Sequence, residues 1–442
     1  MDDRPPSRSA GLLARAVEVR PGELRALLLS FAYFFCLLSS YYVLRPLRDE
    51  MGVASGVEHL QWLFSGTFAA MLAAVPLFGW IVARLPRRSF VPMVYRFFAL
   101  NMLIFFVLFS LDPGAIAVAR AFYIWVSLFN LFVVSVFWSV MADLFSNEQG
   151  RRLFGFIAAG GSAGALLGPS LTASLAVPLG PINLLPIAVV LLELAVQCAL
   201  ALFRHAPPRD TAPGADADTD AGEAPIGGSI LSGFTAVLRS RYLAGLCLYM
   251  LLFTATSTFL YVEQANVVAG AFADPAERTR LFALIDLAVG VLTLGTQLFA
   301  TGRLIRRLGT AGALAATPLL TAAGFLALAA APTLVLVVAF QALRRAANFA
   351  LSQPAREVLF TVIGREAKYK SKNFIDTAVY RGGDAASGWA FAGLRGLGLD
   401  LATIALVAVP LALLWLATGV FLGRREARSA AGRQLAEAAD AR

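Results

Sequence analysis

Several arginines of this sequence lie within or at the ends of long apolar stretches, where a charged side chain is costly unless it has a partner or a function. The first stretch is YYVLRPLRDEMG, residues 41–52. Arg45, Arg48 and Asp49 are spaced i, i+3 and i+4, which places them on one face of a helix together with Tyr41. A guanidinium group matches the oxygens of phosphate or carboxylate with a planar fork of donors. The pattern indicates an anion-binding site or, alternatively, a set of solvated charges at a membrane surface.

A second group of charged residues lies in two apolar stretches nearer the C-terminus. At 100° per residue, the stretch 334–360 places a polar stripe along one helix, and the stripe consists of Gln341, Arg345, Asn348, Ser352 and Arg356. The next stretch contains Asp376, Tyr380, Arg381 and Asp384. Arg345 and Arg381 fall near the middle of their stretches, so we expect them to complete an anion site opposite Arg45.

These patterns define a set of candidate site residues. The residues expected to contact the substrate are Tyr41, Arg45, Arg48, Asp49, Asn130, Arg345, Asn348, Asp376, Tyr380, Arg381 and Asp384. The residues expected to take part in coupling or gating are Asp143, Glu193, Asp286 and Glu357. For Glu193, as for Arg96 and Arg120, the alternative is an ion pair between helices or a side chain that reaches the membrane surface.

The composition indicates which elements must position these residues. Of the 442 residues, 58% are hydrophobic and 15% are charged, whereas soluble proteins carry about 25% charged residues. Apolar stretches of about 20 residues, long enough to cross a bilayer, recur along the chain. The sequence therefore predicts an all-α polytopic membrane protein. Basic cytoplasmic loops explain the formal charge of +9, so we expect membrane lipid, and no nucleic acid, as a partner.

Twelve apolar spans are predicted in two groups of six. Their boundaries are 24–47, 58–83, 89–111, 115–142, 152–177, 182–203, 240–264, 279–302, 310–330, 332–358, 372–394 and 400–422. The stretch 204–239 is rich in Pro, Ala, Gly and Asp, which predicts a flexible linker. The expected organisation is an N-terminal segment 1–23, a six-helix half 24–203, the linker 204–239, a second half 240–423 and a tail 424–442. This layout predicts a pseudo-symmetric 6+6 bundle.

The distribution of basic residues indicates the orientation of the spans. Arginines and lysines cluster in loops on one side, at 84–88, 151–152, 303–307, 368–372 and 424–425. The opposite loops, such as LDPGA and PLGPIN, carry almost none. The positive-inside rule places both termini and the linker in the cytoplasm, and we expect a protein of the bacterial inner membrane.

The two groups of spans also share a short motif. GWIVARLP, residues 79–86, follows the second span, and GRLIRRLG, residues 302–309, follows the eighth. Both fit Gly-x-(Ile/Leu)-(Val/Ile)-x-Arg-Leu-(Pro/Gly) at corresponding places in the two groups. This resembles the loop motif of the major facilitator superfamily, in which two six-helix halves rock about a central site.

Three blocks of sequence resemble the ATP/ADP translocases, the nucleotide transporters of plastids and obligate intracellular bacteria. VLRPLRDEMG, residues 43–52, resembles their signature in the first span, and FWSVMADLFSNEQGRRLFGFIAAGGSAG, residues 137–164, resembles their segment from the fourth span into the fifth. NFALSQPAREVLFTVIGREAKYKSKNFIDTAVYRGGDAASG, residues 348–388, is the most specific block. In it the family's positions are occupied by Pro354, Arg356, Glu357, Asp376, Arg381 and Gly383. The resemblance implies exchange of nucleoside phosphates across a membrane without hydrolysis.

Two positions depart from the pattern of that family. Asp384 stands where the family has a basic residue, and it lies one helical turn from Arg381, whose charge it could neutralise. Arg48 stands where the family has lysine, which keeps the charge but changes the donor geometry. A less positive site favours a substrate with fewer phosphates or another anion.

The function that these observations favour is secondary active transport of an anionic, phosphorylated, nucleotide-like metabolite by alternating access, by a monomer without a cofactor. The alternative is a proton-coupled transporter of a non-nucleotide small molecule, with Asp286, Glu193 and Asp384 as proton carriers. An enzyme is disfavoured, because GGSAG at 160–164 lies within a span, where small residues allow helices to pack closely. Two histidines and three cysteines at unrelated spacings predict no metal site.

Overall fold

The computed structural model describes residues 19–20, 22–82, 87–205, 237, 240–360, 371–372 and 374–440. The N-terminal segment 1–18, most of the predicted linker and the loop residues Arg84, Lys368 and Lys370 lie outside the described residues. The first six helices of the described part are α1 Leu24–Ala54, α2 Leu60–Val82, α3 Arg87–Leu111, α4 Ile116–Leu144, α5 Asn147–Leu179 and α6 Leu185–His205. A 3₁₀ turn, Val57–His59, precedes α2.

The remaining helices follow the linker region. Four of them are α7 Arg241–Ala271, α8 Pro275–Phe299, α9 Thr301–Ala330 and α12 Leu401–Asp440. The helix α10 has two α-helical parts, Leu334–Ala347 and Gln353–Leu359, on either side of a π-helical turn, Asn348–Ser352. A second π-helical turn, Ile375–Val379, leads into α11, Tyr380–Gly396.

Eleven of the helices in the described part are long and apolar enough to cross a membrane. The helix α11, with 17 residues, is shorter than a span of about 20 residues. The prediction of an all-α polytopic membrane protein is confirmed. One boundary differs, because α1 continues through Pro46 to Ala54, beyond the predicted end at residue 47. The reason is that the charged residues after Pro46 find buried partners, as described below.

The chain forms two compact units. Unit 1 consists of Met1–Met51, Ala73–Ala217 and Pro275–Leu287, and unit 2 consists of Gly52–Leu72, Asp218–Asp274 and Ala288–Arg442. The beginning of α2 therefore packs within unit 2, where Trp62 lies edge-on to Trp389 of α11 with ring centroids 4.7 Å apart. The Trp389 indole also donates a 3.0 Å hydrogen bond to Ser65 Oγ. The beginning of α8 packs within unit 1.

A row of glycines brings α5 into close contact with α1 in unit 1. A Cβ atom added to Gly160 would lie 2.5 Å from the carbonyl oxygen of Phe31, and one added to Gly164 would overlap the carbonyl oxygen of Phe35. Helix backbones approach this closely only where side chains are absent. The prediction that GGSAG is a packing motif is therefore confirmed, and the close contact positions the charged end of α1.

The start of α1 is held by a buried carboxylate, Glu23. Arg152 of α5 donates to Glu23 at 2.9 and 3.2 Å, the Gln149 amide donates at 3.0 Å, and the backbone N–H of Arg20 donates at 2.9 Å. Burial alone would raise the pKa of Glu23, but these donors outweigh it and lower the pKa from 4.5 to about 2. The first turns of α5 are therefore a structural anchor for the start of α1.

Unit 2 has its own aromatic core. Trp415 of α12 is fully buried, and its ring centroid lies 5.5 Å from that of Tyr249 and 5.6 Å from that of Phe253, both on α7. This core fixes α7 against α12, and the guanidinium carbon of Arg344 in α10 lies 5.4 Å from the ring centroid of Phe253 and 5.8 Å from that of Trp415.

Candidate functional site

The charged end of α1 is paired within unit 1. Arg45 Nη1 lies 3.6 Å from Oδ1 of Asp286 in α8, and the two side chains are 20% and 2% exposed. The guanidinium carbon of Arg45 also lies 5.8 Å from the ring centroid of Tyr42. Asp286, expected from the sequence to act in coupling, is thus the counter-charge of an arginine expected to bind substrate.

Arg48 makes an aromatic contact in addition to a charged one. Its Nη2 donates a 2.8 Å hydrogen bond to the hydroxyl of Tyr123 in α4, and its guanidinium carbon lies 4.3 Å from the centroid of that ring. Asp49 Oδ1 lies 4.0 Å from Arg48 Nε, and the two side chains are only 11% and 19% exposed. Arg48 and Asp49 are therefore not solvated surface charges, which was the alternative interpretation.

The most complete ion pair of unit 1 was not among the predicted site residues. Arg278 of α8 donates two hydrogen bonds to Glu50, at 2.7 and 2.8 Å, and Glu50 is fully buried. The two-donor geometry is the strong form of an arginine–carboxylate pair. Arg278 lies in DPAERTRLF at the start of a span, where a basic residue is easily taken for a loop charge, so no sequence signal identifies it.

The other residues predicted in the first half lie in different environments. Tyr41 is buried and lies edge-on to Tyr42 with ring centroids 5.1 Å apart. Asn130 is half-buried on α4, and Asp143 is exposed near the end of that helix. Around the end of α1 the structure brings together Arg45, Arg48 and Arg278 with Asp49, Glu50 and Asp286, so three positive charges meet three negative charges.

Glu193 forms an ion pair between helices, which is the alternative weighed for it. Arg96 of α3 donates to Glu193 of α6 at 2.9 and 3.2 Å, and the Gln197 amide donates to the same carboxylate at 2.6 Å. The side chains of Arg96 and Glu193 are 53% and 39% exposed. The pair lies on an exposed face of unit 1 and joins α3 to α6.

The π-helical turn in α10 interrupts the predicted polar stripe. One extra residue in the turn rotates the residues after it relative to those before it. Before the turn, Arg345 is half-buried. At the end of the turn, Ser352 donates to Thr317 Oγ1 at 2.7 Å, and after the turn Arg356 Nη1 lies 2.9 Å from Met250 Sδ. The polar residues that a regular helix would place on one face therefore contact different neighbours.

Arg344, which the sequence does not single out beside Arg345, has extensive polar contacts. Arg344 is 3% exposed. Its donors reach Ser257 Oγ at 2.7 Å, Thr256 Oγ1 and Thr321 Oγ1 at 3.2 Å, and the Phe253 carbonyl at 3.3 Å. Among the described residues no carboxylate lies within ion-pair distance of Arg344. Unit 2 therefore contains a buried positive charge whose hydrogen-bond acceptors are neutral groups.

Three further predicted residues lie in or beside the π-helical turns. Asn348 begins the turn in α10 and is half-buried, whereas Asp376 lies in the turn before α11 and is exposed. Glu357 is exposed and accepts a 2.5 Å hydrogen bond from Lys372 Nζ. π-Helical turns occur frequently at functional sites, and here both turns carry residues that the sequence singled out.

The pair expected from the i, i+3 spacing in α11 is present. Arg381 Nη1 lies 3.5 Å from Asp384 Oδ2, with the side chains 30% and 18% exposed. Thr258 of α7 donates a 3.2 Å hydrogen bond to Asp384 Oδ1. The guanidinium carbon of Arg381 lies 5.1 Å from the ring centroid of Tyr380. Asp384 therefore compensates Arg381 and connects α11 to α7.

The helices and the ionisable residues within them together indicate a class of protein. Long apolar helices with ionisable residues at span ends and span centres are typical of multi-pass membrane transporters. The model of the Major Facilitator Superfamily matches residues 26–355, well over half of the chain. The chain therefore belongs to the major facilitator superfamily, and it is a transporter of that superfamily.

Solved structures share the fold at low sequence identity. A bacterial homologue of the human lysosomal transporter Spinster, in an inward-facing and unoccupied conformation, is 14% identical with a TM-score of 0.60, over 93% of this chain and 99% of that one. The nucleoside transporter NupG is 13% identical with a TM-score of 0.61, over 93% and 99%. A peptide transporter, POT, in complex with sulfate is 15% identical with a TM-score of 0.56, over 90% and 95%. No protein of curated function matches the sequence.

Proposed function

We propose that this transporter carries a small anionic, phosphorylated, nucleotide-like metabolite by alternating access. The three sequence blocks that resemble the ATP/ADP translocases support a nucleotide-like substrate. The arginines within the spans support an anionic one, since a guanidinium binds phosphate oxygens through paired donors. Arg45 and Arg48 in unit 1, and Arg345 and Arg381 in unit 2, are the proposed anion-binding side chains.

The observation that carries the proposal is the buried positive charge of α10. Among the described residues, the hydrogen-bond partners of Arg344 are hydroxyl and carbonyl groups, and its guanidinium carbon lies 5.4 and 5.8 Å from the ring centroids of Phe253 and Trp415. An anion about 10 Å from one such charge, at an effective dielectric constant of about 20, gains roughly 2 kcal/mol. In unit 1 each arginine at the end of α1 lies within ion-pair distance of a carboxylate, whereas no carboxylate of the described residues lies within that distance of Arg344.

The direct test is binding and transport by the purified protein. Affinities for ATP, ADP, AMP, glucose 6-phosphate and citrate would be measured, and the best ligand followed in proteoliposomes. Arg345→Gln should lower affinity about 10- to 100-fold, because hydrogen bonds to a charged group contribute about 1.5–3 kcal/mol. The matched control is Arg303→Gln, which neutralises an exposed arginine in the same unit. Absence of binding to every phosphorylated compound would refute the proposal.

The second candidate, proton-coupled transport of a non-nucleotide molecule, needs a carboxyl group that changes its protonation. The three carboxylates first considered are paired with Arg45, Arg96 and Arg381. Each of these carboxylates thus already has an arginine as its counter-charge. Transport of an uncharged compound that depends on a pH gradient would favour this candidate.

The proposed setting is the bacterial inner membrane, with both termini in the cytoplasm and one chain as the functional unit. The basic loops support this orientation through the positive-inside rule. Labelling of single cysteines in the N-terminal segment and in the tail, in intact cells and in inverted vesicles, would test it.

A further inference from the structure

A buried carboxyl group of unit 2 is separate from the ion pairs described above. Glu263 of α7 is 1% exposed. Among the described residues, neither of its carboxyl oxygens has a hydrogen-bond partner. The neighbouring side chain, Gln264, is also buried, and its Oε1 has no partner within that part of the chain. A buried charge without a partner is strongly unfavourable, so this environment accommodates the neutral acid and not the carboxylate.

A cavity lies beside this part of α7. A cavity of about 490 Å³ in unit 2 is lined by Val262 and Asn266 of α7, by Gln61 of α2, and by Phe391 and Arg395 of α11. Asn266 lies at i+3 from Glu263, so the two side chains lie on the same face of the helix. The cavity therefore reaches within one helical turn of the carboxyl group.

An ion pair of the proposed substrate site also contacts α7. Thr258 donates to Asp384, and Asp384 pairs with Arg381. Thr258 precedes Glu263 by five residues, which is about 7.5 Å along the helix axis. Glu263 thus lies on α7 one to two turns beyond the residue that contacts this ion pair and close to Val262 and Asn266, which line the cavity.

The charged groups around this half of α7 do not pair with Glu263. The parts of α10 and α12 at 334–343 and 401–414 contain no ionisable residue. The ionisable groups on the other elements that pack against this half of α7 are Glu58, His59, Arg381, Asp384 and Arg395. Within the described part of the chain, none of them makes an ion pair or a hydrogen bond with Glu263, so a proton is the cation that this carboxyl group is suited to bind.

We propose that Glu263 is a proton-binding site of the transport cycle, loaded through the cavity, so that movement of the anion is coupled to movement of a proton. The step is the addition of one proton to a carboxylate to give the neutral acid, and its reversal when a conformational change exposes the group to the other side. The coupling rests on the proposed function, whereas protonation of Glu263 does not. A proton taken up with an anion also reduces the net charge that crosses the membrane.

Infrared spectroscopy tests the site without a substrate. At neutral pH the purified wild-type protein should show the C=O band of a protonated carboxyl group, and Glu263→Gln should lack it. Glutamine replaces the acid with a neutral group of the same shape, so the variant should fold. The matched control, Glu277→Gln, removes an exposed glutamate and should retain the band. An identical band in wild type and Glu263→Gln would overturn the proposal.

Proteoliposomes test the coupling, with labelled AMP and ATP as probes. In Glu263→Gln, accumulation driven by a proton gradient should fall about tenfold or more, whereas exchange without a gradient should stay within about twofold of wild type. If transport by the wild-type protein does not depend on the proton gradient, the proposed coupling is refuted. If neither nucleotide is exchanged by the wild type but the infrared band is lost in Glu263→Gln, the proposed substrate class is refuted and the proton site is supported.

Discussion

Glu50 accepts two hydrogen bonds from the Arg278 guanidinium, at 2.7 and 2.8 Å, and is completely removed from solvent. The pair joins the end of α1 to the start of α8 within unit 1. Removing one partner of a buried pair leaves an uncompensated charge, which costs about 3–5 kcal/mol. This ion pair therefore stabilises the packing of α1 against α8.

Glu50→Gln should lower the apparent melting temperature of the purified protein, because Arg278 would lose the buried carboxylate that accepts its two hydrogen bonds. Exchanging the two residues, Glu50→Arg with Arg278→Glu, should recover part of the loss. Glu277→Gln is the control, because its pair with Arg280 is exposed and such pairs contribute about 0–1 kcal/mol. Equal melting temperatures for Glu50→Gln and Glu277→Gln would contradict a structural role for the buried pair.

Gly164→Ala should destabilise unit 1, because its methyl group would overlap the backbone of α1 at Phe35. Gly155→Ala in the same helix is the matched control, since nothing lies within 4 Å of the added atom there. Alanine is a better helix former than glycine by about 1 kcal/mol, so the control should be neutral or stabilising. Thermal unfolding in detergent compares the two variants, and a stabilising effect at both positions would argue against close packing.

Asp384→Lys should raise the affinity for ATP relative to AMP. The substitution removes the partner of Arg381 and adds a second positive charge, so a ligand with more phosphates gains more. It should also lower stability, because Thr258 loses its acceptor and Arg381 gains a like-charged neighbour. Binding of both nucleotides at matched salt measures the preference. An unchanged ratio would mean that the pair is purely structural.

Because Glu23 anchors the start of α1, the stability of the protein should depend on pH in the acid range. The pKa of Glu23 is lowered from 4.5 to about 2 in the folded protein, so the unfolded chain binds the proton more readily. The contribution of Glu23 is fully present above pH 4.5 and is lost as the pH falls towards 2. The melting temperature of wild type should fall more steeply over this interval than that of Glu23→Gln. Parallel curves for the two proteins would exclude the anchor as the source of the acid sensitivity.

The sequence by itself determined those features of the protein that depend on composition and on the local spacing of residues. Long apolar stretches predict membrane helices because a bilayer imposes their length and polarity. The pair of Arg381 with Asp384 follows from residues three apart on one helix. The glycine row of α5 predicts close helix packing for a similarly local reason, since the absence of side chains is visible in the sequence.

Tertiary structure alone decided which distant residues meet. Arg45 and Asp286, like Glu50 and Arg278, lie in different halves of the chain, and no periodicity within one helix identifies the partner on another. The π-helical turn at Asn348–Ser352 changes the register of α10, so the stripe read at 100° per residue does not hold across it. The roles of Arg344 and Glu263 depend on what surrounds them, because the same charged residue is solvated, paired or isolated according to neighbours that only the folded chain supplies.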